Sequence, residues 1–191
     1  SAPAAPAKPR PKIGLVLSGG GARGITHVGV LKVLHEMRIP IDYIAATSMG
    51  AIVGGLYASG MPPDVMQRHL GAVSWPTLLS DSPPRPDVAF RRKEEEAAFP
   101  LGFELGYNDG EIRWFKGALS GSNLELFLHE LTRHVDTIGD FDKLPIPFRA
   151  VATNMVNGKE VVFDRGLLYQ AMRASMSVPG MFAPVELGGR V

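Results

Sequence analysis

Two apolar runs near the start of the chain each break at a corner of small residues and pass straight into a helical pattern. "KIGLVLS" (Lys12 to Ser18) runs into "GGGARG", and "IDYIAA" runs into "TSMGAIVGG". Short, nearly continuous apolar runs bounded by glycine read as strands buried on both faces, as in parallel sheets. Between them, "GITHVGVLKVLHEM" sets Ile25, Val28, Leu31, Leu34 and Met37 on helical spacing, and Pro40 stops that helix. A second helix from Ala51 to Ser59 is closed by Gly60, with Pro62 and Pro63 following. Strand, helix, strand, helix constrains the chain to an α/β fold with a mostly parallel sheet and helices packed on its faces. Sites in such folds lie at the carboxyl ends of the strands, where both corners fall.

The rest of the chain is organised around that core. Residues 1–11, "SAPAAPAKPRP", are rich in Pro and Ala without periodicity and read as a flexible leader to one domain spanning 12–191. "SDSPPRPDVAFRRKEEEAA" reads as an exposed loop or flap. "FPLGFELGYNDGEIRWF" alternates, with Phe99, Leu101, Phe103, Leu105 and Tyr107 on one face, and Asp109-Gly110 supplies a hairpin turn. "SGSNLELFLHELTRHV" is an amphipathic helix with a serine start signal. "FRAVATNM" and "EVVF" read as further strands, and "LLYQAMRAS" as another helix. The pattern stops at Val191 in what reads as a strand just beginning, so the natural chain is expected to continue.

Composition narrows the chemistry. The sequence has 191 residues, 45% hydrophobic and 20% charged, with 20 basic and 19 acidic side chains for a net charge of +1. That balance lacks the basic excess of a nucleic-acid binder. With no cysteine, disulfides, thiolate metal sites and a cysteine nucleophile are excluded. No apolar run is long enough to span a bilayer. No ligand spacing of the EF-hand type appears, and the chemistry read here calls for no metal or cofactor.

The first corner carries Gly19, Gly21 and Gly24 in the spacing G-x-G-x-x-G. Glycine lets the backbone turn sharply and aim several N–H groups into one space, at a helix N-terminus that favours negative charge. Dinucleotide folds share the spacing but need an acidic residue at the carboxyl end of the second strand. The candidate, Asp42, lies at the other end, and no G-K-[ST] follows to make a phosphate loop. A nucleotide- or phosphate-binding module therefore stands as the lesser alternative.

At the second corner, Ala46-Thr47-Ser48-Met49-Gly50 approximates the nucleophile elbow G-x-S-x-G. Alanine replaces the first glycine but is still small. The bland alternative for Ser48 is a helix N-cap. Against it stands the first corner: donors beside an exposed hydroxyl are what acyl transfer requires, and one such donor is worth about 3 kcal/mol of barrier. A hydroxyl nucleophile also needs a base. The histidines are His27, His35, His69, His129 and His134, and none follows residue 134, so a Ser-His-Asp order is poorly matched. His129 and His134 read as polar-face or packing residues of their helix.

"GLVLSGGGARGITHVGVLKVL", "YIAATSMGAIVGGLYASG", "ATNMVNGKEVVF" and "AMRASMSVPGMFAPV", in that order, resemble the bacterial patatin-like phospholipases over nearly the whole chain beyond the leader. The resemblance implies a three-layer α/β/α sandwich and hydrolysis of phospholipid or lysophospholipid esters by a Ser–Asp dyad without histidine. It makes Ser48 the nucleophile, Gly19, Gly20 and Gly21 the oxyanion loop, and Ala46 and Gly50 the small flanks of the elbow. Arg23, next to Gly24, would serve beside a phosphate or the loop backbone, or simply start the helix against a local carboxylate. The dyad aspartate of the family falls in an Asp-Gly motif expected just beyond Val191; neither Asp109 nor Asp164 sits in a matching context. A catalytically inactive interaction domain of the same fold is the other alternative. The expected partners are an acyl lipid and a membrane surface, not nucleic acid. Some relatives are exported as autotransporter passengers, and the leader and missing cysteines fit a secreted or cell-surface setting, with the cytoplasm as the alternative.

Overall fold

The structure, a computed structural model, describes residues 10–79, 105–108, 111–114, 119–178, 182–183 and 185–187. Both corners form as strand-to-helix junctions. β1 (Gly14–Leu17) passes through a 3-10 turn (Gly21–Thr26) into α1 (His27–Glu36), and β2 (Tyr43–Thr47) passes through Ser48 into α2 (Met49–Ala58). α3 (Pro63–Ala72) and α4 (Trp75–Leu79) follow. β3 (Leu105–Asn108) and β4 (Glu111–Trp114) pair antiparallel as a separate hairpin, joined at Asn108↔Glu111. The flap and residues 99–104 lie outside the described residues, as does the Asp109-Gly110 turn. α5 (Ser122–Thr132), β5 (Phe148–Thr153), β6 (Glu160–Phe163) and α6 (Leu168–Ser175) complete the order.

The main sheet runs β1-β2-β5-β6, with β1, β2 and β5 parallel and β6 antiparallel at the edge. Gly14 to Leu17 pair with Tyr43 to Ala46, and Ile44 to Thr47 with Phe148 to Val151. The parallel strands therefore end level with one another. Gly19, Ser48 and the chain leaving β5 share one edge.

The expectation that β1 and β2 are buried on both faces does not hold among the described residues. Leu17, Ile44, Ala46, Phe148 and Ala150 are buried against helices, whereas Val16 is 79% exposed and Tyr43 and Val162 are exposed on the opposite face. Handedness explains this. The crossovers β1→β2 and β2→β5 step in one direction, so right-handed connections put their helices on the same side. The helical spacing also over-reached by one residue: α1 ends at Glu36, and Met37 is 65% exposed. α5 starts one step from its serine signal. Gly121, in the left-handed region at φ 71°, takes the cap position, and the Ser122 amide donates to the Ser120 hydroxyl at 3.2 Å.

α2 is the centre of the molecule. Every residue from Met49 to Leu56 is buried, as is Ala58, because the helix lies between the sheet and α3, α5 and α6. A helix apolar all round has no other stable place in a small domain. At the amino edge, Asp42 receives both Arg10 guanidinium nitrogens at 2.7 Å and the Ile13 amide at 2.7 Å. The Arg10 hydrogen bonds, then that of Ile13, hold its carboxyl down to about 2. Asp42 thus ties the start of β1 to β2 at the edge opposite the corners, and offers no carboxylate for a ribose.

Candidate active site

Ser48 stands alone between β2 and α2 with φ 53° and ψ −127°. A side chain other than glycine rarely adopts that conformation, and it persists only where the surroundings over-determine it. The N-cap alternative fails on geometry: the Ser48 side chain makes no capping hydrogen bond, while its carbonyl accepts from Ala51 and Ile52 at 2.8 and 3.3 Å. Instead Ser48 Oγ donates to Met176 Sδ at 3.4 Å, a weak acceptor.

The small residues around it are explained by crowding. A Cβ placed on Gly50 would lie 2.5 Å from the carbonyl oxygens of both Leu17 and Ser18. The first turn of α2 thus rests on the backbone at the end of β1. Ala46 is buried on β2, and a Cβ on Gly54 would sit 3.3 Å from its own Cβ, so a larger residue at 46 would push the helix off the sheet. Alanine at that slot does the steric work expected of glycine.

The glycine loop lies against this elbow. A Cβ on Gly19 would fall 3.1 Å from Ser48 Cβ and 3.6 Å from Ser48 Oγ, and one on Gly24 would fall 2.6 Å from Met49 Cβ. Gly20 and Gly21 turn the loop with φ 146° and 54°, and among the described residues the Gly19 and Gly20 amides donate to no other group. Arg23 is exposed; its amide donates to Gly20 O at 3.2 Å and its carbonyl accepts from Thr26 Oγ1 at 2.8 Å. The Cβ-free faces of Gly19 and Gly24 join the two corners into one site.

Three further neighbours complete the surroundings of Ser48. His27 Nε2 donates to the Ser18 carbonyl at 2.9 Å, which anchors the loop from α1. Ser175 and Met176, at the end of α6, contact the Ser48 amide and hydroxyl respectively. They lie in the "RASMS" stretch, far away along the chain; the stretch is among those that carry the family resemblance, but the sequence reading gives neither residue a role there. The other candidate bases are engaged elsewhere. His129 meets Asp136 at 2.9 Å and stacks on Tyr169, and His134 donates to the Ser59 carbonyl at 3.0 Å. Among the described aspartates, Asp42, Asp64, Asp140, Asp142 and Asp164 form ion pairs away from Ser48, and Asp136 is hydrogen-bonded to His129. Asp109 lies outside the described residues.

Comparison with known proteins gives a consistent picture. The family model described as patatin-like phospholipase matches residues 15–191. An uncharacterized NTE family protein of Mycobacterium tuberculosis is 33% identical over 181 residues, which cover 95% of this chain and 41% of the mycobacterial one. Lysophospholipase NTE1 of Saccharomyces cerevisiae is 30% identical over 180 residues, covering 93% of this chain and 9% of the yeast protein. Among solved structures, ExoU in its complex with SpcU from Pseudomonas aeruginosa has a TM-score of 0.57 at 23% identity, over 93% of this chain and 38% of that one, a likeness of fold. The chain therefore spans less than half the length of each of these relatives.

The Gly50 contacts make a direct prediction. Gly50→Ala should cost about 3 kcal/mol of stability, because both opposing atoms are backbone and cannot rotate away. Chemical denaturation of the variant checks it; unchanged stability would mean that α2 does not rest on those carbonyls.

Proposed function

Because this chain belongs to the patatin-like phospholipase family, we propose that it carries the nucleophile and oxyanion loop of a lipid acyl hydrolase acting on phospholipid or lysophospholipid esters. One observation carries the reading: the Cβ-free face of Gly19 lies against Ser48 Oγ, on an elbow whose serine is strained and uncapped. In the proposed reaction Ser48 Oγ attacks the ester carbonyl and passes its proton to the dyad aspartate expected past Val191. The amides of Gly19, Gly20 and Gly21 take up the charge on the carbonyl oxygen. Collapse breaks the bond to the alcohol, which leaves with the aspartate's proton. Water, deprotonated by the same carboxylate, then releases the fatty acid and restores Ser48. Fixed donors facing a developing oxyanion supply about 3 kcal/mol each.

The yeast relative is named a lysophospholipase, and lysophospholipid is the substrate class we carry to this chain. In the full-length protein, a fluorophosphonate should label the wild type, and Ser48→Ala should abolish labelling and lower lysophospholipid hydrolysis by about 10³-fold or more. Equal labelling of the two proteins would reject the assignment.

The membrane contact expected of such an enzyme falls, in this reading, on the turn between β5 and β6. By strand rise it stands about 10 Å above Val151, whose carbonyl is tied to the elbow. Val156 is 81% exposed there, beside exposed Met155 and Lys159, with exposed Arg23 and Val178 on the same edge. The turn satisfies much of its own backbone: Asn154 Oδ1 accepts from the Val156 and Asn157 amides, and Asn157 Oδ1 from the Lys159 amide. Little unpaired backbone would therefore enter the interface. Val156→Asp should weaken binding to vesicles containing phosphatidylglycerol by about tenfold, the weight of one apolar anchor exchanged for a repelled charge, and leave hydrolysis of a soluble short-chain ester unchanged. Unaltered vesicle binding would remove this turn from the contact.

A further inference from the structure

The β2–β5 ladder shows how the strained nucleophile is held. Ile44 N–H donates to the Pro147 carbonyl at 2.9 Å. Donors recur every second residue along a parallel strand, so the series continues through Ala46 to Ser48. In this register the acceptor for Ser48 N–H is the Val151 carbonyl. The two groups do not bond to each other, because at Ser48 the chain has left the extended conformation. A side chain from α6 fills the gap. Ser48 N–H donates to Ser175 Oγ at 2.7 Å, and Ser175 Oγ–H donates to the Val151 carbonyl at 2.6 Å. Thr47 Oγ1–H reaches the same carbonyl at 3.0 Å.

We propose that Ser175 is a positioning residue for the nucleophile: its hydroxyl is the final rung of the β2–β5 ladder, lengthened by one oxygen atom so that the strand can turn at Ser48 without leaving its amide unpaired. The inference rests on the reading of Ser48 as the nucleophile. A hydroxyl suits the position because it accepts and donates at once, as the rung requires. A methyl group would leave the part-buried Ser48 amide without a partner, at the residue whose backbone is already strained, and the Val151 carbonyl with Thr47 alone. The same end of α6 supplies a second contact. Ser175 holds the Ser48 backbone while the next residue, Met176, meets the Ser48 hydroxyl, so the nucleophile is gripped at two atoms from one helix end. Val151 in turn links elbow, α6 and β5, making the orientation of Ser48 Oγ toward Gly19 a property of the sheet.

The test compares Ser175→Ala, Ser175→Val and Ser175→Thr in the full-length protein. Threonine keeps the hydroxyl and valine matches its size without it, so the pair separates hydrogen bonding from packing. Labelling of Ser48 by a fluorophosphonate, counted per folded molecule, should slow about 10- to 100-fold in the alanine and valine variants, the scale of an ångström-sized misplacement. It should stay within about threefold of wild type in the threonine variant, and KM for a soluble ester should be unchanged while kcat falls. Hydrogen exchange at the Ser48 amide should quicken in the alanine variant, a readout independent of activity. Threonine and valine variants labelling alike, or an alanine variant with wild-type labelling and amide protection, would overturn the proposal. A wild-type protein that does not label would instead count against the nucleophile itself, leaving amide exchange to judge the rung.

Discussion

The close approach of α2 to the ends of β1 and β2 is the contact on which the site depends. With Gly50 resting on the Leu17 and Ser18 carbonyls, the chain has only Ser48 in which to convert a strand into a helix. A wider separation would allow a relaxed turn of several residues, and the serine would then cap the helix. Crowding instead leaves Ser48 at φ 53°, with its hydroxyl released from the helix it precedes. The same crowding lays the glycine loop beside it, since Gly24 packs directly on Met49.

A strained residue must be held by its neighbours, and here they come from distant parts of the chain. Val151 on β5, Ser175 on α6 and Thr47 on β2 share a single carbonyl, and His27 anchors the loop through Ser18. The opposite edge of the sheet has a different character. Asp42 with Arg10, and Asp142 with Arg149, form ion pairs near the starts of the strands. One edge therefore carries ion pairs that tie the strands, and at the other the groups in contact with Ser48 are glycine, hydroxyl and thioether. That division follows from the parallel arrangement, which sends every strand's carboxyl end the same way.

The elbow and the glycine loop were legible in the sequence because their causes are local. Small residues at fixed offsets and a hydroxyl between strand and helix patterns are all that is needed to recognise them. Other features were misread where the cause was tertiary. Val16 and Tyr43 carry strand-like apolarity yet face outward, because the described helices all pack on the side to which the crossovers turn. Met37 continues the period of α1 after the helix has ended. Ser175 gave no signal, since its partner lies 127 positions earlier and only folding brings them together. His129 is engaged by Asp136, seven positions away, and His134 by the carbonyl of Ser59, 75 positions earlier, so the second contact too is made only by folding.

The central claim is that the two corners form a single chemical site, with donors of one facing the reacting atom of the other. A crystal structure of the full-length protein phosphonylated on Ser48 tests it most directly, because the phosphonyl oxygen marks where an ester's oxyanion would stand. The account predicts that oxygen about 3 Å from amides of the Gly19, Gly20 and Gly21 loop. An oxygen turned to solvent, more than about 5 Å from every amide of the glycine loop, would contradict it.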